Sequence, residues 1–339
     1  MSRYAAICAI LLLGACGGSS STPFTPTNPG PSQTQTQSIA GRVTDLLTGA
    51  GVAGASVVVG TAPAATTAGD GSWRVDVPSA GGDRLLTKVT AGGFQTRETY
   101  VAWTGSARQD VTIDLLPDRP PFSLPFYREL VRDGRENPSR LEPLRRWTTS
   151  PNIYLRTLNP KTGNPLTIAE VSALLQNVRD AVSQVTGGLL SVGSIESGVA
   201  ARPERVGTIN IDITYEPEAD YCGITYVGAN PGSVSFNYNR CSTPCGGNPL
   251  GPELIAHEIG HALGFWHVSS GVMQAEDFVD CPRVNFTDIE RLHGSIAYRR
   301  PSGNLDIDKD PQSFAALRAP GAAPMIRCGR KAALARRNS

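Results

Sequence analysis

Residues 257–267 read HEIGHALGFWH and contain three of the four histidines in the chain. On a helix, His257 and His261 point from one face about one turn apart, the geometry that two imidazoles need to bind one tetrahedral ion. Gly264 can adopt a positive φ and end the helix, so that the chain turns and His267 returns as a third ligand. Three protein ligands leave a fourth position for water, which is typical of a catalytic zinc site.

Glu258 directly follows the first of these histidines, so it flanks the predicted ion without occupying a coordination position. A carboxylate in this place predicts a general base. A chance HExxH is the alternative explanation, and the glycine and third histidine at fixed offsets argue against it. The residues therefore predict His257, His261 and His267 as ligands of Zn²⁺ and Glu258 as the catalytic residue.

The pattern HExxHxxGxxH resembles the signature of the metzincin clan of zinc metallopeptidases. These enzymes also carry a methionine in a tight turn beneath the metal, and Met273, six residues after His267, matches this Met-turn at the short spacing of the matrixin-like branch. The resemblance implies an α/β (α+β) zincin domain with a mixed sheet and an active-site helix. It also implies a zinc-dependent endopeptidase in which Glu258 takes a proton from the attacking water and passes it to the leaving amine.

Two other functions remain open. The first alternative to an endopeptidase is a surface-binding lipoprotein with a latent peptidase domain. The second is a zinc amidohydrolase that acts on a non-peptide amide. Glu258 argues against the first, because a degenerate domain has no need of a general base. Matrixins often keep themselves latent through a propeptide cysteine on the zinc, but no cysteine lies between Cys16 and Cys222, which excludes such a switch upstream of the site.

The first 16 residues read as a targeting segment, with Arg3 followed by an apolar run at 5–13 that is too short to span a bilayer. The closing stretch LGAC resembles a bacterial lipobox, which implies a lipid anchor on Cys16 and, because no Asp follows, the outer membrane. A plain signal peptide is the alternative. We therefore expect a protein of the bacterial cell envelope, lipid-anchored or secreted, and an uncharged flexible tether at 17–38.

Residues 39–117 alternate between short apolar runs and turns, which predicts an all-β sandwich. Strands are expected at 38–43, 55–59, 72–77, 85–91, 97–102 and 110–116. GRVTD at 41–45 and TAGDGSW at 67–73 resemble the carboxypeptidase-regulatory-like sandwich, of the transthyretin/Ig-like type, that accompanies many secreted enzymes. It contains neither histidine nor cysteine, so we expect a spacer or docking module without chemistry of its own.

The rest of the chain divides into a Pro- and Arg-rich interdomain connection at 118–147, the catalytic domain at 148–301 and a C-terminal extension at 302–339. Expected elements are a short helix at 124–131, helices beginning after Thr167 and Thr287, each with Glu three residues on, and strands at 152–157, 208–214, 223–227 and 233–238. The helix after Thr167 should bury Ile168, Val171, Leu174, Leu175, Val178, Val182 and Val185. By resemblance to metzincins, 224–227 is the edge strand that pairs with an extended substrate, and an ordinary strand is the alternative.

Five cysteines follow the tether, which in an exported chain predicts disulfides with one cysteine left over. The favoured pairing is Cys222 with Cys241 and Cys245 with Cys281, which leaves Cys328 over. The alternative is that one of these cysteines binds zinc as a thiolate.

The acidic stretch 306–310 lacks the Gly and Glu of an EF-hand loop, so it does not predict a calcium site. His293, the one histidine outside the motif, is expected in the core or at the surface. The net charge of the chain is only +1, so the composition does not indicate a nucleic-acid partner. Protein or peptide substrates and the membrane are the expected partners, and the oligomeric state is not predicted.

Overall fold

The computed structural model describes residues 36–78, 84–103, 106–219, 221–238, 251–274, 285–313 and 323–328, without the side chains of residues 109 and 328. The chain is mixed α/β, with sheets predominating. The predicted targeting segment with Cys16, and nearly all of the tether, lie outside the described residues. Within the described part of the chain, no helix combines the length and apolarity needed to cross a bilayer.

The first half forms two sheets around one hydrophobic core, as the alternating pattern predicts. Its strands are β1 (Thr36–Asp45), β2 (Ser56–Val59), β3 (Ala65–Thr66), β4 (Ser72–Pro78), β5 (Arg84–Thr90), β6 (Arg97–Ala102) and β7 (Arg108–Leu115). One sheet has the order β4-β1-β7 and the other β3-β2-β5-β6. On β4, Trp73, Val75 and Val77 are buried while the residues between them are exposed, because successive side chains of a strand point to opposite faces. These side chains meet those of the other sheet in the core.

The second half contains a six-stranded mixed sheet and four helices among the described residues. They are α1 (Leu124–Arg132), β8 (Asn152–Arg156), α2 (Ile168–Val185), β9 (Ile195–Gly198), β10 (Thr208–Thr214), β11 (Gly223–Tyr226), β12 (Gly232–Asn237), α3 (Pro252–Ala262), α4 (Asp288–Tyr298) and β13 (Met325–Cys328). The sheet order is β13-β11-β12-β10-β8-β9. β10 runs parallel to β8 and β12, whereas β11 is antiparallel to both of its neighbours.

The helices begin at the predicted caps. Thr167 and Glu170 form a complete capping box before α2, and Thr287 forms the same box before α4. The predicted apolar stripe of α2 is buried from its second turn onward, but Ile168 is 88% exposed, so its predicted burial is wrong. Ile168 is the first residue of α2, and burial of this face begins one turn later at Val171, which is partly buried.

The sheet continues past β11, which corrects the prediction that 224–227 is an edge strand. β13 pairs with β11 in antiparallel register, with Gly223 opposite Cys328 and Tyr226 opposite Met325. β13 comes from the predicted C-terminal extension, where no strand was expected because four residues carry too little alternation. Among the described residues, the outer edge of β11 is therefore already paired.

The two halves share buried charges, and residues 35–339 form one unit. Arg97 of β6 binds Asp308 at 2.6 Å, and Arg300, which follows α4, binds the same carboxylate at 2.7 Å. Asp306 binds Arg128 of α1 at 2.8 Å. The carboxylates of the acidic stretch 306–310 thus pair with arginines.

Candidate metal centre

α3 and the turn after it bring the three predicted ligands together. His257 and His261 are fully buried on α3, with their Nε2 atoms 3.0 Å apart. The chain leaves the helix through Gly264, whose φ is 105°, and a Cβ there would lie 2.0 Å from the carbonyl oxygen of Arg145. Glycine is therefore required at this turn. His267 then returns, with its Nε2 atom 3.2 Å from that of His261.

The second nitrogen of each ring fixes which nitrogen faces the centre. Nδ1 of His257 donates to the carbonyl oxygen of Val272 at 2.7 Å, and Nδ1 of His261 donates to that of Phe265 at 2.8 Å. Because carbonyl oxygens accept only, these rings carry their proton on Nδ1 and present a lone pair at Nε2. Lone pairs that converge on one point repel one another unless a cation binds them, so this donor set fits a metal ion.

Burial also favours the neutral form of the helical ligands. It lowers the pKa of His257 to about 3, with a further contribution from the neighbouring His267. Burial, followed by the neighbouring His257 and His267, lowers the pKa of His261 well below its ordinary value. Neutral imidazole is the form that binds a metal, because a protonated ring has no lone pair to donate. The site therefore keeps His257 and His261 ready to bind a metal ion at neutral pH.

Glu136 supports the third ligand and was missed by the sequence analysis. Its Oε1 atom accepts a hydrogen bond from Nδ1 of His267 at 2.5 Å, and this bond lowers the pKa of the Glu136 carboxyl. The carboxylate orients the ring and leaves Nε2 to the centre, as outer-shell carboxylates do at metal sites. Glu136 lies 131 residues before His267 in a segment without a motif, so no local signal identifies it.

Glu258 of α3 is fully buried, and its side chain contacts β11. Thr225 Oγ1 donates to Glu258 Oε2 at 2.5 Å, which fixes the orientation of the carboxylate. Gly223 lies against the same side chain, since a Cβ there would be 2.0 Å from Glu258 Oε1. β11 therefore contributes a hydroxyl donor and a gap that matches the carboxylate, and neither was predicted.

Met273 lies directly beneath α3. A Cβ on Gly260 would come within 2.4 Å of the Met273 sulfur, so the helix and this fully buried side chain are in close contact between the two helical ligands. The backbone amide of Met273 donates to Glu290 Oε1 at 2.9 Å, and its carbonyl accepts from the amide of Val268 at 2.9 Å. This turn also presents the carbonyl of Val272 to His257 and thus orients the ring of this predicted ligand.

The remaining described histidine, His293, and the cysteine Cys222 have other roles in the fold. His293 is buried on α4, where Nδ1 donates to the carbonyl of Ile289 and Nε2 accepts from the amide of Ser123, so of the two expected positions, core or surface, it lies in the core. Cys222 is disulfide-bonded and is not a thiolate ligand. Its predicted partner Cys241 and the predicted pair Cys245 and Cys281 lie outside the described residues.

Comparisons with known proteins assign no family. No protein-family model matches the chain, and no curated protein sequence matches it. A cohesin–X-dockerin complex from Acetivibrio cellulolyticus is similar to it at 20% identity over 24% of this chain and 58% of that chain, with a TM-score of 0.20. A DUF3823 family protein from Parabacteroides merdae is similar at 11% identity over 25% of this chain and 48% of that chain, with a TM-score of 0.21. The ECX AB5 holotoxin in its GM1-bound form is similar at 13% identity, over 55% of this chain and 95% of that chain, with a TM-score of 0.33.

The chain thus spans 58% and 48% of the length of the first two of these structures. Likenesses of this size carry no information about the histidine site. The chemistry of the site therefore has to be argued from its own residues.

Proposed function

We propose that the chain is a zinc-dependent endopeptidase of the metzincin type. The observation that carries the proposal is the convergence of three Nε2 lone pairs at a helix that also carries a buried glutamate, Glu258, directly after the first histidine. Three neutral imidazoles are a common ligand set of catalytic zinc, and the adjacent carboxylate supplies the base that amide hydrolysis needs. Met273 beneath the helix supports the same assignment.

Each residue of the site has its own role in the proposed reaction. His257, His261 and His267 would hold Zn²⁺, which when bound acidifies water and polarises a carbonyl group. Glu258 takes the proton from the attacking water and delivers it to the leaving amine. Thr225 holds the carboxylate of Glu258 in place, and Glu136 holds the ring of His267.

The proposal also includes the domain organisation and the location of the enzyme. The second half would be a metzincin-like zincin domain, preceded by a carboxypeptidase-regulatory-like sandwich. A lipid on Cys16 would tether both to the bacterial cell envelope, where the protein would cleave proteins outside the cytoplasm. Nucleic acid has no part in this function.

The test is cleavage of a mixed peptide library by the purified protein, with and without a zinc chelator, together with the metal content of the protein. Glu258→Gln should retain zinc but lose cleavage by a factor of about 10²–10⁴, since it removes the general base. Glu204→Gln makes the same change at an exposed residue before β10 and should leave cleavage unchanged.

The outcomes separate the proposal from its rivals. Zinc bound at one ion per chain without peptide cleavage, followed by hydrolysis of a non-peptide amide, would identify an amidohydrolase. Bound zinc with no hydrolysis of either kind would identify a latent protein. A protein that binds no zinc would refute the metal centre itself.

A further inference from the structure

The outer edge of β11 carries a strand from the chain's own C-terminal region. β13 pairs with β11 over four residue pairs, from Gly223 opposite Cys328 to Tyr226 opposite Met325. The pairing continues by one bond, because the amide of Val227 donates to the carbonyl of Pro324 at 2.9 Å. Residues 324–328 thus form a short antiparallel addition to the sheet.

β11 is also the strand that touches the base of the proposed reaction. Thr225 donates to Glu258, and Gly223 contacts the same side chain. An extended polypeptide adds readily to an exposed sheet edge, where main-chain hydrogen bonds provide affinity and side-chain pockets provide specificity. The outer edge of β11 is therefore a backbone surface from which a peptide can approach Glu258, and β13 occupies that surface.

One side chain anchors β13. Ile326 lies opposite Thr225, and residues directly opposite each other in an antiparallel pair point to the same face. Ile326 is only 8% exposed and packs with Val227 and Trp266, the residue just before His267. Met325 lies on the other face of the strand and is 45% exposed. A single aliphatic side chain thus fills an apolar pocket next to a metal ligand.

We propose that residues 324–328 are an intramolecular ligand of the peptide-binding edge, and that substrates reach Glu258 only after β13 has left β11. Incoming polypeptides then bind antiparallel to β11, with an aliphatic side chain in the pocket of Val227 and Trp266. This inference rests on the proposed endopeptidase function. Strands of four residues in which one described side chain is buried are among the elements that open locally before a fold unfolds.

The test compares Ile326→Asp with Met325→Asp, which places the same charge on the exposed face of the same strand. Both changes are made in the Glu258→Gln background, so that binding is measured without cleavage. The probe is a fluorescent peptide, Ala-Pro-Met-Ile-Arg-Ser, which copies residues 323–328 with serine for the cysteine. We expect Ile326→Asp to bind the probe roughly tenfold more tightly than the parent, because burying one isoleucine favours the docked strand by at least that factor. Met325→Asp should bind it as weakly as the parent.

A probe with Asp in place of Ile should not bind to any variant. Hydrogen exchange of the peptide that covers β11 should accelerate in Ile326→Asp and not in Met325→Asp. Equal probe binding and equal exchange in both variants would overturn the proposal. If circular dichroism shows that Ile326→Asp is unfolded, the pair Ile326→Ala and Met325→Ala makes the same comparison.

The two proposals fail in different ways. With Glu258 restored, faster library cleavage by Ile326→Asp than by the parent supports both. Probe binding without any cleavage would refute the endopeptidase function and leave the intramolecular ligand standing. Cleavage at the same rate in both proteins, with equal probe binding, would refute the intramolecular ligand alone.

Discussion

The three histidines proposed as ligands are held by acceptors of two kinds. Val272 and Phe265 offer backbone carbonyls to His257 and His261, whereas His267 relies on the carboxylate of Glu136. A substitution cannot remove a carbonyl, but it can remove a carboxylate. Glu136 is therefore the support whose contribution to metal binding can be measured directly.

Glu136→Ala should weaken zinc binding by about 10–100-fold, because His267 loses the acceptor that fixes its tautomer and orientation. Glu136→Gln should have a smaller effect, since the amide oxygen still accepts from Nδ1. Competition with a metal chelator at fixed pH measures both. Glu142→Ala is the control, because this carboxylate lies in the same segment and contacts Arg145 instead of a ligand. Equal losses in the Glu136 and Glu142 variants would show that Glu136 acts only through stability.

The sequence predicts residues whose role depends on nearby positions. The helical spacing of His257 and His261 and the positive φ of Gly264 are local properties, so the motif identifies them. Glu136 and Thr225 reach the site only through the tertiary fold, 131 residues from His267 and 33 residues from Glu258, respectively. A single glutamate or threonine at such a distance has no signature in one sequence.

At the level of elements, two capping boxes with the same chemistry occupy different surroundings. Glu170 closes the box of α2 at an exposed position. Glu290 closes that of α4 but is fully buried, and its other oxygen accepts from the amide of Met273. The second box therefore links the start of α4 to the turn beneath the metal centre.

Glu170→Ala should lower the free energy of unfolding by about 1 kcal/mol, the usual cost of losing a helix cap. Glu290→Ala should cost about 1–3 kcal/mol more, because the buried amide of Met273 loses its acceptor. It should also weaken zinc binding, since the same turn presents the carbonyl of Val272 to His257. Urea denaturation and chelator competition measure the two effects. Zinc binding that is equally affected in the two variants would contradict this link.

His293 should make the joint between α4 and α1 sensitive to acid. Burial lowers the pKa of His293 below its ordinary value of 6.5 in the folded protein. As the pH falls below this value, the unfolded chain takes up a proton that the folded chain resists, so the free energy of unfolding decreases. We expect the difference in stability between the native protein and His293→Gln to shrink from pH 8 to pH 5. Denaturant titrations at both pH values measure it, and a constant difference would contradict the assignment.

Element boundaries were predictable where a local signal marks them. Thr167 and Thr287 cap their helices as predicted, and the alternating residues of β4 and β10 form strands. β13 carries no such signal, because four residues become a strand only through pairing with β11 about a hundred positions away. β11 was predicted to be an edge strand by resemblance to metzincins, and no local signal of β13 spoke against that prediction.

At the scale of the whole molecule, the sandwich and the second half are joined by buried ion pairs. The carboxylate of Asp308 accepts from Arg97 of the sandwich and from Arg300, which also binds Asp114 of β7. Burial lowers the pKa of the Arg300 guanidinium, but Asp308 and Asp114 together raise it above its usual range. Buried ion pairs between the sandwich and the second half are lost if either of the two unfolds alone. The sandwich should therefore fold and unfold together with the second half.

Asp308→Asn should therefore lower the free energy of unfolding by about 3–5 kcal/mol, because two buried guanidinium groups each lose one of their two carboxylate partners. Asp76→Asn is the control, since its pair with Arg74 is more than half exposed on both sides, and it should change stability by about 0–1 kcal/mol. Differential scanning calorimetry should show one cooperative transition in the native protein and in the control. In Asp308→Asn we expect that transition at a lower temperature, or split in two as the halves unfold separately. Two transitions in the native protein would show instead that the buried ion pairs do not couple the sandwich to the half that contains the metal centre.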